Sequence, residues 1–275
     1  MSILNVQREV ADWPVGRSAI AVIGPDGVLD RYETGGDSAR FPWASVTKVL
    51  TALTVLDGCA DGTVELDQPA GPPGSTVSHL LAHASGLPEE AGPVKYAPAT
   101  RRLYSNFGYE TVAETLATAA GGPFGDELAG RVLGPLGMTG TTVDGSPARA
   151  AVGPLDDLIA LATELLTPTV IGPEIVSWAS TLAFPGLDGI LPGFGRQTPN
   201  DWGLGCELKD HKALHWTSPE NSPGTFGHFG QSGSFLWVDR AASLACVCLS
   251  DTHFGPWAAT VWPRLSTAVL AAHRR

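Results

Sequence analysis

A serine and a lysine stand one helical turn apart in the stretch FPWASVTKVLTALTVL, residues 41–56, as Ser45 and Lys48. Residues three apart lie on the same face of a helix, so the hydroxyl and the amine can meet. Lys48 is the only charge in that stretch, and an amine in apolar surroundings loses the solvation that favours its ammonium form. Such an amine can act as a base, and a serine beside a base is the minimal activated nucleophile. S-x-x-K is short enough to recur by chance, so its weight depends on what else the chain brings to it.

Three further stretches carry polar groups near predicted element ends: SHLLAHASGLP at 78–88, YSN at 104–106 and GHFGQSG at 227–233. The pairs His79/His83 and His211/His215 have a spacing that suits zinc. Neither has the glutamate of H-E-x-x-H, so no metal is expected, and nothing implies a cofactor. The four cysteines, Cys59, Cys206, Cys246 and Cys248, lack C-x-x-C spacing. Cys246 and Cys248 fall on one face of one strand, a poor geometry for pairing, so all four are expected reduced and in the core. The eight tryptophans are expected mostly in the core. Trp43, two residues before Ser45, is the one expected to line an acyl pocket.

The elements that must position these groups follow from pattern. Residues 18–34 read as a hairpin around Gly24-Pro25-Asp26-Gly27. A helix is predicted from about Ser45 to Gly58, and a short one from Val77 to His83 that stops by Gly86. Apolar positions Tyr109, Val112, Ala113, Leu116, Ala117 and Ala120 repeat with helical period and end at Gly121-Gly122. Further helices are predicted at Asp126–Leu133 and from Pro154 through Leu166. Past a Gly/Pro-rich loop at 184–201, placed to overlie a site, come β runs at 202–208, 225–229, 233–239 and 244–250. A last helix spans Pro256 to about Ala272, with a kink or restart expected at Pro263. Strands at both ends with helices between them predict an α/β (α+β) architecture: a sheet domain from residues 1–59 and 186–275, an all-helical lobe from 60–185, and a site at their junction.

Composition limits the partners. With 43 % apolar and 16 % charged residues the chain is globular, and a net charge of −11 opposes binding to nucleic acid or to an anionic membrane surface. The N-terminus has charges where a signal peptide needs an apolar run, and nothing approaches 18 consecutive apolar residues. A cytoplasmic protein acting on a small-molecule acyl substrate is the expectation.

In order, SVTK, LLAHASGLP, YSN and HFG resemble the serine β-lactamase and penicillin-binding superfamily. The likeness is to its class C branch, with related esterases, D-amino-acid peptidases and acyltransferases, and it covers nearly the whole chain. It implies an antiparallel sheet flanked by helices with an inserted helical lobe. It also implies roles: Ser45 as acylated nucleophile, Lys48 as the amine that shares its proton, Tyr104 as base or proton shuttle, and Asn106 as the amide that orients substrate and lysine. His228 matches the first residue of the K/H-x-G triplet, with Phe229 and Gly230 beside the substrate. The backbone N–H groups of Ser45 and Gln231 match the oxyanion hole. A tyrosine of pKa about 10 needs nearby positive charge to work as a base, and Lys48 is the obvious source.

The chain departs from the pattern in two ways. Penicillin-recognising members commonly have Lys and then Thr or Ser where this chain has His228 and Phe229, which weakens the case for carboxylate-bearing substrates. Only 59 positions separate Ser45 from Tyr104, and 124 separate Tyr104 from His228, which is compact for the branch. The resemblance therefore implies a serine hydrolase acting on carboxylic esters or small amides. Acyl transfer to a small acceptor and penicillin-binding or β-lactamase activity are the alternatives. A catalytically silent binding module is the competitor outside enzymes.

Overall fold

A computed structural model describes residues 6–36 and 39–274; the first five residues of the N-terminal stretch discussed above lie outside it. In chain order the elements begin with α1 (Val6–Val10), β1 (Ser18–Gly24), β2 (Gly27–Glu33) and β3 (Phe41–Pro42). A 3-10 turn at Ala44–Val46 runs into α2 (Thr47–Ala60), followed by α3 (Val77–Leu81), α4 (Asn106–Ala120) and α5 (Phe124–Leu128). Then come β4 (Thr142–Val143), β5 (Ala151–Gly153), α6 (Leu155–Leu166) and α7 (Pro173–Ser180). The chain closes with β6 (Gly189–Leu191), β7 (Gly195–Gln197), β8 (Glu207–Leu208), β9 (Phe226–Gly230), β10 (Ser234–Asp239), β11 (Leu244–Ser250) and α8 (Pro256–His273).

The main sheet has the order β2-β1-β11-β10-β9-β8 and every pairing in it is antiparallel. Strands from the two ends of the sequence meet where Ala21 pairs with Val247 and Ile20 with Cys248. Because side chains alternate across a strand, each strand serves two cores. Ala245, Val247 and Leu249 face the core shared with α2 and α6, whereas Cys246 and Cys248 join Ile20, Val22, Trp237 and the α8 residues Trp262 and Val269. Both layers being buried explains the near-continuous apolar runs of β1 and β11. All four cysteines are free, and Cys59 alone is not fully buried.

α4 starts where its sequence says it should. The Ser105 hydroxyl accepts from Gly108 N at 2.8 Å, satisfying a first-turn amide, and Gly121 in the left-handed region ends the helix. Elsewhere tertiary packing overrode the local signal. The predicted helix at 126–133 is a short α5 followed by a π turn at Ala129–Leu133, whose Arg131 bonds Asp57, Asp61 and Glu127. α8 runs through Pro263 as one helix. Trp262, Leu265 and Val269 seat it on the sheet on either side of the proline, which outweighs one missing backbone donor. Of the run predicted at 202–208 only Glu207 and Leu208 form a strand. The helix α7, the small sheet β3-β5-β4 and the β6–β7 hairpin within the 184–201 loop carried too few periodic residues to be predicted.

Candidate active site

The turn that presents Ser45 is held from three sides. Trp43 N donates to Ala151 O at 2.8 Å, Ser234 Oγ donates to Trp43 O at 2.7 Å, and Thr47 Oγ1 donates to Ala44 O at 2.6 Å. Ala44 lies at φ 45°, a left-handed conformation costly for a residue with a Cβ, and this sharp entry leaves Ser45 at the mouth of α2. Strand β9 passes so close that a Cβ on Gly230 would stand 2.3 Å from Trp43 O. Glycine is required there for approach, and Gly230 does not line the cavity in front of Ser45.

That cavity has a volume of about 210 Å³, and Ser45, Tyr104, Asn106, His228, Phe229 and Gln231 all line it. It brings together segments up to 186 positions apart, between Ser45 and Gln231. Trp43 is a correction: it is fully buried beneath the turn, with its indole N–H donating to Gly153 O at 3.3 Å, and it takes no part in the cavity wall. A large ring beside a sharp turn served to fill the core under it.

Lys48 is 0 % exposed, behind Ser45. Its Nζ donates to Asn106 Oδ1 at 2.6 Å and to Ala148 O at 3.0 Å, and it stands 3.4 Å from Ser45 Oγ. None of these partners is a carboxylate. Burial, reinforced by the charge of Arg149, pushes the lysine down to about 7, against weaker pulls from Glu89, Glu110 and Glu90. Two acceptor-only contacts hold two N–H bonds of a neutral amine, leaving its lone pair for the serine hydroxyl.

Tyr104 behaves differently from the expectation. Burial raises its phenol well above the ordinary value, and Ser45 opposes only part of that. Lys48 lies over the ring face, with its Nζ 4.7 Å from the centroid. The YSN segment is held by His83, whose Nδ1 accepts from Ser105 N at 3.1 Å, and whose ring packs 4.5 Å from that of Tyr104. His83 is held by packing and by its Nδ1 contact, and no cluster of metal-binding side chains occurs among the described residues.

His228 is buried and neutral: desolvation, then the Lys48 charge, push it down to about 3. Its Nδ1 lies 2.7 Å from Phe229 O. A carbonyl can only accept, so Nδ1 carries the proton. Phe229 packs into an aromatic cluster with Phe254, Trp216 and Trp262.

The geometry therefore sets an amine lowered to about 7 beside the Ser45 hydroxyl, with Gln231, just past β9, lining the same cavity. The Beta-lactamase family model matches residues 19–271. The chain belongs to the beta-lactamase family. A beta-lactamase from Mycobacterium bovis of known structure is 47 % identical, with a TM-score of 0.95 over 98 % of this chain and 100 % of its own. EstCE1, described as a hydrolase with promiscuous acyltransferase activity, shares the fold at a TM-score of 0.78 and 17 % identity, over 96 % of each chain. The D-alanyl-D-alanine-carboxypeptidase/endopeptidase AmpH of Escherichia coli K12 is 28 % identical over 141 residues. That match spans 38 % of this chain and 37 % of the relative. These likenesses bear out the resemblance and the mixed α/β fold expected from the motifs. No described helix is long and apolar enough to cross a membrane.

Other residues of this beta-lactamase-family site gave no signal in the sequence. Arg149 and Glu89 line the cavity; Arg149 bonds Glu90 through both terminal nitrogens, at 2.5 and 3.2 Å, and Glu90 accepts from Asn106 Nδ2 at 2.9 Å. Leu191 and Pro192 from the β6–β7 hairpin cover one side, so the 184–201 loop does reach the site. Its position is fixed by buried Arg102, which donates to the carbonyls of Ala82, Ala183, Phe184 and Asn200. Glu207 lines the far wall, with Oε1 accepting from Lys212 at 2.6 Å and Oε2 from His215 at 2.8 Å and Trp216 at 2.7 Å. His215 thus serves a carboxylate, where its spacing from His211 had raised the question of zinc.

Proposed function

We propose that the protein is a serine hydrolase of carboxylic esters or small amides that forms an acyl-enzyme on Ser45, with neutral Lys48 as the first proton acceptor. The observation that carries this reading is the lysine's environment: fully buried, its two shorter contacts to an amide and a carbonyl oxygen, and its third to Ser45 Oγ. A base titrating near 7 is matched to its task at neutral pH. A phenol raised above its ordinary value is a poor first base.

In this scheme Ser45 Oγ attacks the acyl carbonyl as its proton passes to Lys48 Nζ. The carbonyl oxygen becomes an oxyanion at the backbone amides of Ser45 and Gln231, where each fixed donor contributes roughly 3–4 kcal/mol. The Lys48 ammonium then returns its proton to the leaving oxygen or nitrogen, relayed by the Tyr104 hydroxyl without net ionisation. Water attacks the acyl carbonyl, gives its proton back along the same path, and frees Ser45 and the acid.

The test is intact mass spectrometry after incubation with a serine-directed phosphonate, for wild type and Ser45→Ala. A single adduct on wild type, absent from the variant, is expected. An unlabelled wild type, or equal labelling of both, would sink the reading.

A further inference from the structure

Lys48 donates to two oxygens besides meeting Ser45, Ala148 O at 3.0 Å and Asn106 Oδ1 at 2.6 Å, and only the second belongs to a group that can turn round. The oxygen and the NH2 group of a side-chain amide are nearly equal in size, so hydrogen-bond partners decide which way the amide points. A neutral lysine does not decide it, because it has N–H bonds to donate and a lone pair to accept. The far end of the amide does. Asn106 Nδ2 donates to Glu90 Oε1 at 2.9 Å, and a carboxylate can only accept. Arg149 first, and then Asn106 itself, hold the Glu90 carboxyl below its ordinary value, so it stays ionised at neutral pH.

Glu90 is mounted from both sides. Ser105 Oγ donates to Pro88 O at 2.6 Å and Phe107 N donates to Glu89 O at 3.0 Å, which lays the segment before Glu90 against the first turn of α4, where Asn106 stands. Arg149 grips the carboxylate through both terminal nitrogens, and the residue before it, Ala148, supplies the other oxygen to Lys48. Lys48, Asn106, Glu90, Arg149 and Ala148 thus close a ring. The guanidinium also keeps the nearby carboxylate from restoring the lysine's charge, since Arg149 acts on Lys48 more strongly than Glu90 does.

We propose that Glu90 is a positioning residue for acylation: it locks the Asn106 amide with Oδ1 toward Lys48, and so keeps the lysine's lone pair free for the Ser45 proton. The assignment rests on the serine-hydrolase reading and adds to it a residue that acts through Asn106. In the reversed amide an N–H would donate to the lone pair of the neutral amine, in competition with the serine. After proton transfer the same N–H would face an N–H of the ammonium.

The test separates the acceptor from its charge. Glu90→Gln and Glu90→Met both remove the negative charge, but only glutamine keeps an oxygen for Asn106 Nδ2, and Glu90 is exposed, so neither disturbs the core. kcat/KM for p-nitrophenyl butanoate is measured on the alkaline plateau, where a displaced lysine titration does not contribute. Glu90→Met should lose about tenfold and Glu90→Gln less than about threefold, the scale of coupling between side chains in contact. In an Asn106→Ala background Glu90→Met should cause no further loss. Equal losses in the two Glu90 variants, no loss in Glu90→Met, or an undiminished loss in the Asn106→Ala background would overturn the proposal and leave the hydrolase reading intact. If wild type does not acylate Ser45 the hydrolase reading fails, and the positioning role is judged by NMR titration of isotopically labelled lysine Cε. Lys48 should then titrate at lower pH in Glu90→Met than in Glu90→Gln, because its ammonium loses the Asn106 oxygen only in the former. Equal midpoints refute the role.

Discussion

Two of the buried lysines, Lys48 and Lys212, have been given opposite surroundings. Lys212 reaches a carboxylate, Glu207, and two backbone carbonyls, Asp201 O and Leu208 O. In return, although burial pushes the Glu207 carboxyl up, His215 and Lys212 outweigh it and hold the acid at about 2. Lys48 reaches only an amide oxygen, a carbonyl and the Ser45 hydroxyl, and it falls to about 7. A buried ammonium that meets a carboxylate stays charged and ties chain segments together. One denied that partner becomes a base. The difference lies in one neighbouring side chain each, Glu207 beside Lys212 and Asn106 beside Lys48.

The contrast is broken most directly by removing each amine. Lys48→Met should lower kcat/KM on an activated ester by about 10²–10⁴-fold with little change in far-ultraviolet circular dichroism. Lys212→Met should instead strand the Glu207 charge and cost roughly 3–5 kcal/mol in urea denaturation. The double variant Glu207→Gln/Lys212→Met should recover part of that loss. Were Lys212→Met to abolish turnover at unchanged stability, the division of labour would be wrong.

pH sharpens the same comparison. If Lys48 is the base of the proposed mechanism it acts when neutral, and kcat/KM should rise about tenfold per unit below the lysine's value and level off above about pH 7. The Glu207 contribution is also lost on acidification, but it is read in stability and at much lower pH. Its folded value is depressed from 4.5, so its stabilisation is complete above 4.5 and is lost as pH falls through about 2. Acid denaturation monitored by tryptophan fluorescence should therefore show a limb in that window that Glu207→Gln lacks. The smallest expected effect is at Arg149, whose charge helps lower Lys48 from the cavity mouth. Arg149→Gln should move the alkaline-rising limb to higher pH, by less than about one unit because that guanidinium is exposed to solvent and screened.

Much of the scaffold could be read locally. Helix α4 was legible because its capping serine, its apolar period and its terminal glycines all agree. Strand β11 was legible because it is apolar on both faces between clear turns. Helix α7 and the β6–β7 hairpin were not, since the pairing of Gly189 with Gln197 and the clamp by Arg102 lie outside any local pattern. Within the site, Ser45, Lys48, Tyr104, Asn106 and His228 stood out as a set through their order along the chain. Trp43 was misplaced because proximity in sequence to Ser45 says nothing about which side of the turn a ring falls on. Trp202 is buried as expected of a core tryptophan, yet it also borders the cavity, which its sequence position does not show.

What the sequence by itself determined is the inventory: a serine and a lysine one turn apart, the ordered motifs that follow, and the apolar periods that make a two-ended sheet with helices on both faces. What only the tertiary structure decided is the state of each group. Whether Lys48 is a cation or a base depends on Ala148 and Asn106, 100 and 58 positions away, offering oxygen without charge. Which ring nitrogen of His228 carries its proton depends on the neighbouring Phe229 carbonyl. Protonation is set by the free energy of a charge in its surroundings, and in a folded chain those surroundings come from residues distant in sequence.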